Sequence, residues 1–200
     1  MKKSSKEKRE ARGAPRVFVS STSEDLEAHR QIAKDAALHA DVFPVMHEYW
    51  EAKDNDPYDE CMQRVDGCDV LVVIVAQRYG WEPPDQPCKS GEELKSITWL
   101  ECERAVASGK QVLAFLLEDG VDWPKESKDA DALEVAMKQH GAASKEFIAA
   151  AVGVERRIRR LAEFRRWLET RGVRRTFKDS ATLRHEIGAR WRLGKPTKRR

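Results

Sequence analysis

Apolar residues recur along this chain in two periods. Short runs that are apolar on both parities alternate with longer stretches in which apolar side chains return every three or four positions. Arg16–Ser20 and Val42–Met46 are of the first kind, and Pro44 suits the second run to a sheet edge. Asp69–Ala76 and Gln111–Leu117 are more continuously apolar, as central parallel strands covered on both faces must be. Val173–Phe177 makes a fifth, shorter strand. Between them the helical period predicts helices. One starts at the hydroxyls Ser21, Thr22 and Ser23 and runs to about residue 39. A short one spans Tyr58–Val65, with Cys61, Met62 and Val65 inward and Gly67 as its stop. Another opens at Ser96–Ala105 and closes at Gly109. A helix is expected around Asp131–Gln139, then a long one from Lys145 to Thr170 whose face is Phe147, Ile148, Val154, Ile158, Leu161, Phe164 and Leu168. Ser180–Trp191 is the last.

Strict alternation of strand and helix, with two fully apolar strands, predicts an α/β domain: an open parallel sheet with helices on both faces. For five strands the common flavodoxin-like order is 2-1-3-4-5, and ligands bind where the chain reverses direction, at the carboxyl ends of strands 1 and 3. Three polar clusters follow those strands. They are Ser20-Ser21-Thr22, Arg78-Tyr79-Gly80, and Thr98 to Glu103 on the next helix. Topology alone therefore places a candidate site.

Composition narrows the class. The 200 residues are 40% hydrophobic and 36% charged, enough for one domain with a sizeable core. No apolar run approaches the ~20 residues of a membrane span, and the basic start has no apolar segment behind it, so a cytoplasmic protein with reduced thiols at Cys61, Cys68, Cys88 and Cys102 is expected. No metal site is expected from them. Net charge is +3, but basic residues cluster at 2–16, in Arg156–Arg175 and in Lys195–Arg200. A solvated helix face and two frayed ends are preferred to a nucleic-acid surface. The expected organisation is a disordered basic stretch (1–14), one domain (15–193) and a basic tail or linker (194–200).

There is no Gly-rich dinucleotide fingerprint and no phosphate-loop lysine. Ser20, Ser21 and Thr22 offer hydroxyls and backbone N–H groups to an anion or a sugar, or simply cap a helix. Gly80 permits a tight turn, and Tyr79 either packs or stacks beside a ligand. Thr98 and Glu101, three apart on a helix, share a face. A carboxylate there can bind a ribose diol or stabilise the oxocarbenium ion formed when an N-glycosidic bond breaks, the logic of glycoside hydrolysis. Nicotinamide leaves as a neutral base, so one carboxylate suffices. Glu103 is the rival, on the opposite side of the helix.

Arg16-Val-Phe-Val-Ser-Ser-Thr-Ser-Glu-Asp-Leu26 with Arg30, Cys68-Asp69, Arg78-Tyr79-Gly80, Ser96-x-Thr98-x-Leu100-Glu101-x-x-x-Ala105 and Leu161-x-x-Phe164 to Leu183 together resemble a family. It is the TIR-like domain of unknown function found at the N-termini of many STAND and NACHT-type NTPases. Thr98-x-x-Glu101-x-x-x-Ala105 is also similar to the segment carrying the catalytic glutamate of nucleoside deoxyribosyltransferases. True TIR domains place the glutamate four positions after a tryptophan, which would select Glu103 after Trp99; the agreement of Thr98, Glu101 and Ala105 favours Glu101. The resemblance implies cleavage of the nicotinamide–ribose bond of NAD, as substrate and with no cofactor, by an effector in bacterial antiphage defence or signalling. Ser20, Ser21, Thr22, Arg78, Tyr79, Gly80 and Thr98 would line the substrate. Glu48, Tyr49, Trp50 and Asp54 would lie on an assembly loop, so self-association is implied, with a STAND NTPase or other sensor as partner. The alternatives are a non-catalytic interaction domain and a nucleoside or nucleotide N-glycosidase.

Overall fold

The computed structural model of the chain describes residues 14–46, 57–88, 90–124, 128–171 and 173–193. Its strands are β1 (Arg16–Ser20), β2 (Phe43–Val45), β3 (Val70–Val75), β4 (Gln111–Leu117) and β5 (Val173–Phe177). They form one sheet in the order β2-β1-β3-β4-β5, and every pairing is parallel. Parallel neighbours need crossovers. These carry α1 (Glu27–His39), α2 (Pro57–Asp66), α3 (Ile97–Ala107), α4 (Asp131–His140) and α5 (Lys145–Arg171), and α6 (Ser180–Leu193) follows β5. The fold is the flavodoxin-like, TIR-like arrangement that the strand pattern predicts, with Pro44 on the edge strand. Among the described residues no helix is long and apolar enough to cross a membrane.

Strand parity divides the core. Val17, Val19, Val70, Val72 and Ile74 pack with Ile32, Ala33 and Ala37 of α1 and Leu183 and Ile187 of α6. Phe18, Leu71, Val73 and Val75 face the other way, against Val65 of α2, Cys102 and Ala105 of α3, and Phe164 and Leu168 of α5. Ser20 ends β1 on the parity of Phe18. Its side chain is therefore directed to the α2–α3 side, two residues beyond the last apolar layer.

Two expectations need correction. The first helix begins at Glu27, six residues after Ser21, and no side chain caps it. The hydroxyls have other partners: Thr22 Oγ1 donates to the Asp25 carboxylate, and Ser20 and Ser21 are held as described below. On α5, Ile148 and Ile158 are 57% and 50% exposed rather than buried. The helix has 27 residues, ~40 Å at 1.5 Å per residue, whereas the seven residues of β4 reach only ~23 Å. Leu161, Phe164 and Leu168 cover the sheet, and Arg165 donates to the carbonyl of Leu117 at the end of β4. The earlier turns overhang the carboxyl edge of the sheet and pack on α4, where an apolar face has little to bury against.

The basic stretch Arg156–Arg175 is largely matched by acids. Arg156 pairs with Glu82, Arg157 with Asp129, Arg159 with Glu93, Arg160 with Glu163 and Arg174 with Glu169. The predicted assembly loop (Glu48, Tyr49, Trp50, Asp54), the basic tail and all of the N-terminal stretch except Ala14 lie outside the described residues.

Candidate functional site

A cleft of about 1150 Å³ opens at the carboxyl ends of β1 and β3. That is above the ~300–1,000 Å³ usual for small-molecule sites, so it has room for more than one ring of a ligand. One wall is the switch point itself. Ser20, Ser21 and Thr22 follow β1, Arg78 and Gly80 follow β3, Thr98 and Glu101 come from α3, and Cys61 comes from α2. The opposite wall is the overhang: Ala132, Val135 and Ala136 of α4, with Ala150 and Arg157 of α5. Its carboxylates are Glu24, Glu60, Glu101, Asp129, Asp131 and Glu146; its fixed cations are Arg30, Arg78, Lys128 and Arg157. Acids outnumber cations.

Glu101 lies at the base of the switch-point wall and is 6% exposed. Ser20 Oγ donates to its Oε2 at 2.5 Å, and the Cys61 thiol bonds the same carboxylate. Burial pushes the Glu101 pKa from 4.5 up to about 7, against the opposing pull of the Ser20 hydrogen bond, the Arg30 charge and the Cys61 thiol. The group is thus poised near neutrality, a condition suited to proton handling and to meeting a positive charge. The Cys61 thiol is itself held protonated, first by burial and then by the adjacent Glu101.

Arg30 fixes the turn above β1. Its Nη1 donates to Ser21 Oγ at 2.9 Å and to the Ser21 carbonyl at 3.3 Å. Gly80 is held at φ +92°, and a Cβ there would meet Thr22 Cγ2 at 2.9 Å. Only glycine lets the loops after β1 and β3 close on one another at that point.

Glu103 takes a different position. Lys95 Nζ donates to both of its oxygens, at 2.7 and 2.9 Å, on the outer side of α3. Trp99 faces inward but away from the cleft, stacked on Phe164 at 5.2 Å. The Trp99–Glu103 alignment accordingly leads out of the cleft, and the Thr98–Glu101 alignment leads into it. Tyr79 resolves in the same way. Its ring is 1% exposed and edge-on to Trp99, and its hydroxyl accepts the Ser96 N–H at 3.1 Å. It orients the start of α3 from below and does not line the cleft; packing, the first of its two readings, is what the structure shows. Arg78 does line it, paired with Glu24.

Sequence reading missed several cleft residues. Arg30 belongs to the first motif, and its one signal is that a charged residue at i+4 from Leu26 and i−3 from Ala33 interrupts an apolar stripe. Cys61 looked like ordinary helix packing. Asp129 comes from an irregular segment and Arg157 from the charged side of the long helix; they pair at 3.2 Å, and Asp129 also accepts the Tyr79 N–H at 2.8 Å. Trp81, half-exposed at the lip, carried no signal beyond its neighbour Gly80.

Sheet order and the location of the cleft define a TIR-like α/β domain with its site at the topological switch point. Residues 16–192 match the family described as Domain of unknown function (DUF4062), and the chain belongs to that family. No curated protein matches it. Among solved structures it is similar to the TIR domains of the activated Roq1 resistosome directly recognizing the pathogen effector XopQ. There the identity is 14%, 87% of this chain and 97% of that chain are covered, and the TM-score is 0.50. At that identity the likeness speaks for the fold.

Proposed function

We propose that the domain cleaves the N-glycosidic bond between nicotinamide and ribose in NAD. The observation that carries this reading is one buried carboxylate, Glu101, hydrogen-bonded by Ser20 at the switch-point end of a roomy, acid-rich cleft. As the C1′–N1 bond breaks, its electron pair passes to the ring nitrogen and neutralises the pyridinium, while positive charge grows on the ribose. A carboxylate held in a site of low dielectric stabilises that charge far better than water does. Water then adds to C1′ and gives up a proton, which a carboxylate titrating near 7 can accept; the products are ADP-ribose, nicotinamide and a proton. Ring closure onto a second nucleophile would give a cyclic product from the same cation. Ser20 orients Glu101, and the charge of Arg30 favours the ionised form.

The Roq1 structure is described as an activated resistosome, and we propose that assembly is likewise the condition for activity here, driven by the loop around Glu48–Asp54 or by a sensor such as a STAND NTPase. The test is nicotinamide release from NAD by purified protein at high concentration, with Glu101→Gln as control. Release by wild type and not by the variant is expected; no release by any assembled form would remove the enzymatic reading. A panel of nucleosides and nucleotides separates NAD cleavage from a broader N-glycosidase.

A second reading, a non-catalytic interaction domain, is favoured by one feature: Ile148, Val152 and Ile158 stand exposed along α5. In that case Glu101→Gln would preserve cellular activity, and Ile148→Asp with Val152→Asp would abolish it.

A further inference from the structure

The tryptophan at the lip of the cleft combines two properties that packing alone does not require. Its side chain is half-exposed, yet the backbone around it is fixed on several sides. Tyr79 N–H is held by Asp129 at 2.8 Å, and the Trp81 carbonyl accepts the Ile97 N–H at 2.8 Å. Glu82, next in sequence, pairs with Arg156 of α5. Trp99 and Trp123, by contrast, are buried among other rings. Among the described residues no aromatic ring or cation stacks on Trp81. A rigidly mounted, open aromatic face on a cleft wall is what a planar ligand needs, because little freedom is lost when the two stack.

Its place relative to Glu101 says which part of a ligand it would meet. Ile97 and Glu101 are four apart on α3 and so lie on one face, a single turn from each other. The Ile97 N–H is bonded to Trp81. The Trp81 backbone therefore sits one helical turn from Glu101, and both residues line the same cleft. In an N-glycoside the leaving ring is bonded directly to the sugar carbon that a carboxylate would stabilise, so the two groups must be recognised side by side.

We propose that Trp81 is the stacking platform for the leaving heteroaromatic ring, and that the ring it selects is a cationic pyridinium. This rests on the reading of Glu101 given above and adds to it the residue that would hold the leaving ring. Indole is the strongest of the aromatic faces for a cation. The cleft carries six carboxylates against four fixed cations; Arg78–Glu24 and Arg157–Asp129 cancel within it and Glu60 pairs with Arg64, so the excess of acid rests on Glu101, Asp131 and Glu146 against Arg30 and Lys128. A neutral purine or pyrimidine would gain stacking there but not the charge match.

The probe is 1-methylnicotinamide, a permanent pyridinium cation without a glycosidic bond, compared with neutral nicotinamide. Binding to wild type, Trp81→Ala and Trp81→Phe is measured by calorimetry and by the shift of the indole N–H resonance that Trp81→Phe removes. The cation should bind more tightly than nicotinamide and shift that resonance. Trp81→Ala should weaken the cation about tenfold, as loss of a stacking face does, and Trp81→Phe should retain most of the affinity. Equal affinity in Trp81→Ala, equal affinity for the neutral ring, or no shift of the indole signal would each overturn the proposal; the comparison of the two ligands uses wild-type protein alone and survives a variant that fails to fold. Cation binding that depends on Trp81, without NAD cleavage by any assembled form, supports the platform and removes the hydrolase reading. NAD cleavage with an unchanged KM in Trp81→Ala does the reverse.

Discussion

Glu101 and Glu103 stand two residues apart on α3 and lead different lives. Glu103 is on the water side, about one-third exposed, and shares its charge with Lys95. Glu101 is on the sheet side, nearly sealed, with a hydroxyl, a thiol and a more distant guanidinium as its company. A rotation of about 200° around a helix separates an ordinary surface ion pair from a carboxyl whose ionisation the fold opposes. What differs is the neighbourhood, supplied by β1, α2 and α1, none of which is near α3 in sequence. A surface pair of this kind adds at most about 1 kcal/mol. A buried carboxyl moved from 4.5 to about 7 costs the ionised fold roughly 3 kcal/mol at 1.36 kcal/mol per pH unit. Such a group is kept at the expense of stability, which is the usual sign of a site.

The comparison breaks most directly on activity. Glu101→Gln should lower nicotinamide release roughly a hundredfold or more, the scale of losing one charge-stabilising group, and Glu103→Gln should leave it within about a factor of two; chromatographic assay of nicotinamide checks both. Stability should move the other way. The Glu101 pKa is raised in the fold, so the protonated carboxyl is favoured there. The stability it lends is present below 4.5 and lost as pH rises through about 7. Urea titration at pH 8 should therefore find Glu101→Gln more stable than wild type by up to about 3 kcal/mol, a gain that vanishes near pH 4.5; Glu103→Gln should be unchanged or slightly less stable at both.

A smaller effect concerns the rate profile. If the ionised carboxylate does the work, turnover should climb with pH around a midpoint near 7. Ser20→Ala removes a hydrogen bond to the ionised form and should carry that midpoint upward, whereas Glu103→Gln should leave it in place. Least of all, Lys95→Ala should shift the midpoint of thermal unfolding by no more than a surface ion pair allows, under about 1 kcal/mol, with no change in rate.

The architecture was legible because its causes are periodic. The most continuously apolar runs, Asp69–Ala76 and Gln111–Leu117, suit central parallel strands, and Pro44 suits an edge. Ser20 and Glu101 were brought together by topology, which needs element order and no atomic detail. Legibility stopped where a residue's fate depends on a single contact across the fold. Tyr79 can pack or stack by sequence alone, and its contacts with Trp99 and the Ser96 N–H decide for packing. Cys61 has the spacing of a packing residue and meets a carboxylate only because α2 lies next to α3. Ile148 and Ile158 keep the helical period faithfully, but periodicity reports a shared face and not what covers it. The hydroxyls after β1 looked like a helix start because capping is their commonest use; here Glu101, Arg30 and Asp25 claim them.

The overhang of α5 also divides the molecule by how readily its parts open. Hydrogen exchange proceeds through local unfolding units whose opening energy follows the apolar surface that holds them. The turns around Phe164 and Leu168 are locked to the sheet and should exchange only when the whole domain unfolds. α4 and the first turns of α5 hold one another, and Arg157 of α5 pairs with Asp129 just before α4. They form a unit, tied to the loop after β3 through Arg156–Glu82 and the Tyr79 N–H to Asp129 bond, that can lift away while the five strands stay protected. A ligand that touches both walls of the cleft should slow exchange in α4 and leave that of β3 and β4 unchanged.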